Sequence, residues 1–207
     1  MKRKIILFGG SFDPIHRGHT IVGRYAIKHI GADGLVFVPA LRSPQKQLFP
    51  MAASSDRLKM IELAIAEEKD MCVSDCELKR QPPSFTIDTV RYFHGAYGPQ
   101  TELYWLVGAD VLNDLPRWHR ILELLDECNL CLMLRAGFDK LELNGLTGVL
   151  GAQRVRKLEQ NIIDNPLIDV SSTEVRRRIA AGEDVSQMVH PPVLAYIKEH
   201  GLYAQPF

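Results

Sequence analysis

What most constrains this chain is the order of patterns at its start. Lys4–Phe8 carries an apolar run (Ile5, Ile6, Leu7, Phe8), closed by the turn-rich Gly9-Gly10-Ser11 and Pro14. From about Gly18 to Ile30, Ile21, Val22, Tyr25, Ala26 and His29 recur at helical spacing, with Gly31 and Gly34 bracketing the end. Leu35–Val38 reads as a second buried strand. Strand, helix and strand within about forty residues make the βαβ unit of a parallel sheet.

The alternation continues downstream. Arg42 to Pro50 is a polar loop with two prolines, after which Ser55 and Asp56 are suited to cap a helix carrying Leu58, Ile61, Leu63, Ala64 and Ile65. Met71–Ser74 is a short strand, Pro82-Pro83 breaks the chain, and a helix runs from about Thr86 to Phe93. Leu103–Val107 and Leu130–Leu134 are further strands, with short helices over Asp110–Leu115 and Trp118–Leu125 between them. Residues 136 to 166 have little periodicity. A strand over Leu167–Val170, a helix from Ser172 to Ala181, a stop at Gly182 and a helix from Pro192 to His200 complete the chain. The expected fold is α/β, a doubly wound parallel sheet with a helical C-terminal portion over about 171–207.

At 207 residues and 46% hydrophobic content the chain can bury the core of one domain, 1–207. Lys+Arg and Asp+Glu each number 25, a balance that argues against a partner made of bulk nucleic-acid backbone while leaving room for a local positive patch. No segment approaches 18 uninterrupted apolar residues, so no membrane span is expected. The run after Lys2-Arg3-Lys4 is too short for a signal peptide and ends in Gly9-Gly10 rather than a cleavage site, which points to the cytoplasm. Cys128-x-x-Cys131 with Cys72 and Cys76 could complete a zinc site, but residues three apart on a strand face opposite ways. Reduced, mostly buried thiols are the expectation.

In a doubly wound sheet, ligands bind beyond the carboxyl ends of the strands. After the first strand comes Gly9-Gly10-Ser11-Phe12-Asp13-Pro14-Ile15-His16-Arg17-Gly18-His19. This is neither a G-x-G-x-x-G fingerprint nor a P-loop. It has the parts of an anion site nonetheless: glycines that let backbone approach a ligand, then a helix N-terminus with unbonded N–H groups. His16 and His19, three apart at that terminus, can face one way and meet phosphate oxygens from one side, with Gly18 leaving space between them. Metal ligation by the two imidazoles is the competing reading, with no carboxylate at helical spacing to complete it.

These residues resemble the G-x-F-x-P-x-H-x-G-H motif of the nucleotidylyltransferase superfamily, with Gly10, Phe12, Pro14, His16, Gly18 and His19 at its fixed positions. The resemblance implies a Rossmann-like fold and an ATP phosphate site built from Gly9, Gly10, Ser11, Phe12, His16, Gly18 and His19. Downstream, Val170-Ser171-Ser172-Thr173-Glu174-Val175-Arg176 is similar to the superfamily's I-S-S-T-x-I-R. Unaided, Ser171-x-x-Glu174 reads as a capping box that sets Ser172 and Thr173 at a helix N-terminus, with Arg176 within the first turn or so; beside the first motif, the resemblance implies that Ser171, Ser172, Thr173 and Arg176 form a second phosphate cradle closing on ATP. Arg177 and Arg178 fan away to the surface.

Over nearly its whole length the chain resembles the bacterial nicotinate mononucleotide adenylyltransferases. The similarity is carried by Pro39–Lys46, by Pro83-Ser84-Phe85-Thr86-Ile87-Asp88-Thr89, by Gly108-Ala109-Asp110 with Leu115 and Trp118-His119, and by Tyr196–Tyr203. It is weakest between residues 136 and 165. It implies that Trp118 stacks on the nicotinate ring, that Ser84 and Thr86 border the acceptor, and that Thr86 lies where backbone N–H groups meet the carboxylate. Gly108 and Asp110 would flank the nucleotide, with Asp110 on ribose hydroxyls, while Lys46 and Arg135 would approach phosphate. Gln45 departs from the family, which usually has His there. The implied reaction joins ATP to nicotinate mononucleotide, with Mg²⁺ held mainly by the ATP phosphates and with His16, His19, Lys46 and Arg176 neutralising charge. The readings left open are nicotinamide mononucleotide or phosphopantetheine as acceptor, and a nucleotide sensor without turnover. The sequence leaves a homo-oligomer open.

Overall fold

The computed structural model describes residues 2–42, 49–133, 143–163 and 169–205. Along the chain run β1 (Lys4–Gly10), α1 (Arg17–Ile30), β2 (Gly34–Pro39), α2 (Ser54–Ala64), β3 (Met71–Val73), α3 (Thr86–Tyr97) and β4 (Glu102–Gly108). Two 3₁₀ turns (Ala109–Asn113 and Leu115–Arg117) lead to α4 (Ile121–Glu127) and β5 (Asn129–Met133). Then come α5 (Thr147–Leu150), α6 (Ala152–Gln160), β6 (Ile162–Ile163), α7 (Ser172–Ala180) and α8 (Pro191–Glu199).

The strands form one sheet in the order β3-β2-β1-β4-β5-β6, and every pairing is parallel. That is the order of a doubly wound dinucleotide-binding sheet, with the switch point between β1 and β4. Alternation along β1 assigns the two faces. Ile6 and Phe8 join a core with Val22 and Ala26 of α1, Met60 and Ile61 of α2, Val175 of α7 and Val193 and Ile197 of α8. Ile5 and Leu7 join a second core with Trp105 of β4, Ile87 and Val90 of α3, Leu124 of α4, and Val155 and Leu158 of α6. The C-terminal helices are thus part of one face of the sheet. Ile6 and Leu7, on opposite faces, are fully buried, each worth about 1.5–3 kcal/mol relative to exposure.

Several expectations are corrected. Gly9 and Gly10 are the last residues of β1 rather than a turn, paired with Val38 and Pro39 of β2. The cap of α2 is Ala53; Asp56 lies in the first turn, where its Oδ1 accepts from the Tyr196 hydroxyl at 2.9 Å and so ties α2 to α8. The helix expected from Trp118 begins only at Ile121, because Arg120 adopts a left-handed φ of 54° that interrupts it. Of the strand expected over Leu167–Val170, residues 167 and 168 lie outside the described residues and Asp169 and Val170 are irregular; the outermost strand among the described residues is Ile162–Ile163. Cys128 and Cys131 are buried in opposite cores, whereas Cys72 is exposed and Cys76 half-buried, so only one pair fits the expected burial. All four are free thiols, and burial pushes Cys131 up to about 12. No helix among the described residues is long and apolar enough to cross a membrane.

Candidate active site

A cleft opens at the switch point, above the carboxyl ends of β1 and β4. Gly9 and Gly10 form part of its wall, and neither has space for a side chain. A Cβ on Gly9 would sit 2.3 Å from the Trp105 ring, and one on Gly10 would sit 2.9 Å from the Phe12 ring. The glycines therefore admit aromatic rings of the protein itself as well as bordering the cleft.

Phe12 turns the chain out of β1 with a φ of 47°, a conformation that costs a residue with Cβ roughly 1–2 kcal/mol. Its ring, 2% exposed, offsets that cost by packing on Phe8, Phe37 and His19 at centroid distances of 5.5, 5.4 and 5.0 Å. The turn delivers His16 to the N-cap of α1 in an extended conformation. His16 N–H donates to His19 Nδ1 at 3.2 Å, and the two rings stack with centroids 3.7 Å apart. An accepting Nδ1 carries no proton, so neutral His19 holds its proton on Nε2 as a donor. Both rings line the cleft, while Gly18 is buried in the first turn of α1 and is not part of the wall. The start of α1 is fixed from the C-terminal part of the chain: Arg17 N–H donates to Met188 O at 2.9 Å, and Thr20 Oγ1 meets His190 Nε2 at 2.9 Å.

The second motif faces the same cleft through Ser172 and Thr173. Ser171 caps α7, its Oγ accepting from Glu174 N–H at 3.2 Å, but it does not line the cleft. Only half of the expected capping box forms, because the Glu174 carboxylate is engaged by Arg177 and Arg178, at 2.8 and 2.7 Å. These two arginines hold the Glu174 carboxyl down to about 2. Ser172 Oγ donates to Pro14 O at 2.9 Å, locking α7 to the histidine loop. With the cap serving the third residue, the N–H groups of Ser172 and Thr173 project from a positive helix end. Arg176 is not part of the cleft wall; its Nη1 donates to Asp13 O at 2.7 Å and its Nη2 to Thr173 Oγ1 at 3.4 Å.

The third wall is the start of α3. Thr86 is its first residue and the cap, Phe85, offers no side-chain oxygen, so the first-turn amides have no side-chain cap. Ser84, Thr86, Gly108, Asp110 and Trp118 all line the cleft. Trp118 is half-buried against the second core, and its buried Nε1–H has no acceptor among the described residues. Next to it His119 stacks on Phe85 at 4.2 Å between centroids. Asp110 lies exposed in the 3₁₀ turn after β4. Lys46 and Arg135, together with Gln45, lie outside the described residues.

Three groups were missed in the sequence. Glu77 borders the cleft at 3% exposure, accepts from the Thr89 hydroxyl at 2.5 Å and lies 3.9 Å from Arg80. Burial raises its carboxyl, against hydrogen bonds from Thr89 and Ser84 and the charge of Arg80. Asp13, 4% exposed, accepts from Met51 and Ala52 N–H at 2.8 and 3.1 Å and from the Tyr203 hydroxyl at 2.7 Å. Arg57 is buried behind Ser11. Asp13 lay inside the histidine motif, and Arg57 stands at helical spacing from Met60, Ile61 and Ala64 on the buried face of α2, but its charge argued against burial; Glu77 had no signal.

This is the architecture of a nucleotidyl-transferring domain: a doubly wound sheet, a histidine pair at its switch point and a second helix N-terminus facing it. Residues 7–178 match the cytidylyltransferase-like family model. Among curated proteins, the chain is 39% identical over 206 residues to a "probable nicotinate-nucleotide adenylyltransferase" of Neisseria meningitidis serogroup B, covering 97% of this chain and 98% of the relative. A protein of the same name from Dehalococcoides mccartyi is 38% identical, with 95% of each chain covered. The chain belongs to the nicotinate-nucleotide adenylyltransferase branch of the cytidylyltransferase-like family. Its fold is shared by a Plasmodium falciparum nicotinic acid mononucleotide adenylyltransferase solved with NaAD (TM-score 0.78, 21% identity, 99% of this chain and 98% of that one).

Proposed function

We propose that this chain transfers AMP from ATP to nicotinate mononucleotide, forming deamido-NAD and pyrophosphate in NAD biosynthesis. The observation that carries this reading is the convergence on one cleft of the stacked His16–His19 pair, the α7 N-terminus at Ser172 and Thr173, and the α3 N-terminus with Trp118. Two helix ends and a histidine pair suit two anionic ligands that must meet.

In the proposed reaction a 5′-phosphate oxygen of the mononucleotide attacks the α-phosphorus of ATP. The new P–O bond forms as the bond to the β-phosphate oxygen breaks, and pyrophosphate leaves with that electron pair. A phosphate oxygen is already a nucleophile at neutral pH, so the protein needs no covalent intermediate and serves by alignment and charge stabilisation. His19 donates from Nε2 to the phosphates beside His16; the Ser172 and Thr173 amides take the facing oxygens. Gly9, Gly10, Ser11, Phe12 and Gly108 border the nucleotide, and Asp110 accepts from ribose hydroxyls. Arg176 acts by holding the Asp13 carbonyl of the histidine loop, while Lys46 and Arg135 are assigned to substrate phosphates from the sequence resemblance alone. Mg²⁺ would be held mainly by the triphosphate, with the cleft-lining hydroxyls of Ser11 and Thr173 as oxygen donors of the kind it accepts, and would supply charge neutralisation there.

For the acceptor, Trp118 offers a ring face and Thr86 an uncapped helix start, whose amides and dipole favour a carboxylate over an amide. The substrates place the activity in the cytoplasm and require neither nucleic acid nor membrane. The test compares kcat/KM for pyrophosphate release from ATP and Mg²⁺ with nicotinate mononucleotide, nicotinamide mononucleotide or phosphopantetheine. The proposal expects the nicotinate form to be strongly preferred. Release with another acceptor alone would discard the acceptor half, and ATP binding without release would leave a sensor.

A further inference from the structure

Arg57, on α2, heads the fully buried side chains by size among the described residues, with 1% of its surface exposed. Its Nη1 donates to Ser11 O at 2.7 Å and its Nη2 to Ser54 Oγ at 3.3 Å. Its Nε–H is buried without an acceptor among the described residues. Burial works against the guanidinium's charge, and the nearby Asp13 carboxylate compensates only in part. Burying that charge costs desolvation, which the hydrogen bonds to Ser11 and Ser54 and the charge of Asp13 offset.

Its surroundings suggest what the charge serves. Asp13 takes its hydrogen bonds from Met51, Ala52 and Tyr203, and Arg176 Nη1 stands 4.0 Å from its Oδ2. Asp13 therefore lies near two guanidinium groups, that of Arg57 buried and that of Arg176 partly exposed. Asp13, Arg57 and Arg176 do not line the cleft, whereas Ser11, which Arg57 holds, does, as do Phe12, His16 and His19 of the same loop. In a water-poor interior the field of such a charge reaches further than at the surface.

We propose that Arg57 is a positioning residue for nucleotidyl transfer, holding the Ser11 carbonyl and placing a buried positive charge behind the phosphate-binding loop, where it favours the leaving pyrophosphate. The inference rests on the ATP-phosphate reading of the His16–His19 loop.

The test is Arg57→Met, with thermal unfolding and steady-state kinetics measured beside the unaltered chain. The expected result, measured well below the variant's Tm, is kcat down by about tenfold or more, less than the loss of a direct donor. KM for nicotinate mononucleotide should stay within about twofold, since the acceptor half is untouched. Arg57→Lys, which keeps the charge, should recover part of kcat. An unchanged kcat in Arg57→Met, or a loss that only tracks the unfolded fraction, overturns the inference while leaving the proposed reaction standing. If Arg57→Met does not fold, Arg57→Gln and Arg57→Lys decide: higher kcat in the lysine variant supports the proposal and equal kcat overturns it. An unaltered chain that releases no pyrophosphate with any acceptor overturns both.

Discussion

At the scale of single residues, the hydrogen bond from His16 N–H to His19 Nδ1 sets which nitrogen of His19 can donate. Replacing His19 with Ala removes both the donor and the stacked neighbour of His16. The expected outcome is a kcat lower by roughly 10²-fold, the scale of one lost transition-state donor, with a smaller change in KM; a kcat at the original level would take His19 out of the chemistry. Glu77 gives a prediction of a different kind. Its folded-state carboxyl is raised above the ordinary 4.5, so the folded chain binds that proton more tightly than the unfolded one. Stability then falls as pH rises from about 4.5 through the folded value. Glu77→Gln keeps an acceptor for Thr89 but has no proton to lose, so its Tm should gain on the unaltered chain across that rise. Parallel Tm–pH curves for the two chains would contradict this.

At the scale of elements, the histidine motif was legible because its chemistry is local: two imidazoles at a helix start, with their spacing written in consecutive residues. Less legible was why Gly9 must be glycine, since the ring that requires it, Trp105, comes from β4. A Cβ at 2.3 Å from that ring cannot be accommodated unless the indole shifts. Gly9→Ala should cost about 1–3 kcal/mol, as overpacking does, read as a lower midpoint in denaturant; an unchanged midpoint would show that Trp105 repacks freely. The same limit applied to helix starts. Ser171 was readable as a cap from its own side chain, whereas the second half of the box failed because Arg177 and Arg178 took Glu174. The helix expected at Trp118 failed on a single left-handed residue, Arg120, whose type gave no warning.

At the scale of the whole molecule, a doubly wound parallel sheet was implied by alternating strands and helices, but its strand order and the contacts between distant segments were not. Asp13 is the clearest case. One buried carboxylate gathers the amides at Met51 and Ala52 and a hydroxyl 190 residues away at Tyr203, while Arg176 binds its backbone carbonyl. No pattern in the sequence pairs these residues, because hydrogen bonds at such separations leave no periodicity. The bond explains how the end of the chain supports a loop near its beginning. Tyr203→Phe removes one of three hydrogen bonds to the Asp13 carboxylate and keeps the ring. It should cost about 1–3 kcal/mol of stability, measured by chemical denaturation. A variant as stable as the unaltered chain would mean that the amides alone satisfy Asp13.

In the proposed reaction one cleft brings two phosphorylated ligands together and joins them. The most direct test mixes the protein with ATP, Mg²⁺ and nicotinate mononucleotide and follows pyrophosphate and dinucleotide together, by chromatography and mass spectrometry. Deamido-NAD and pyrophosphate appearing in equal amounts is the predicted result. Pyrophosphate accumulating without the dinucleotide, or no turnover from a folded protein that binds ATP, would contradict it.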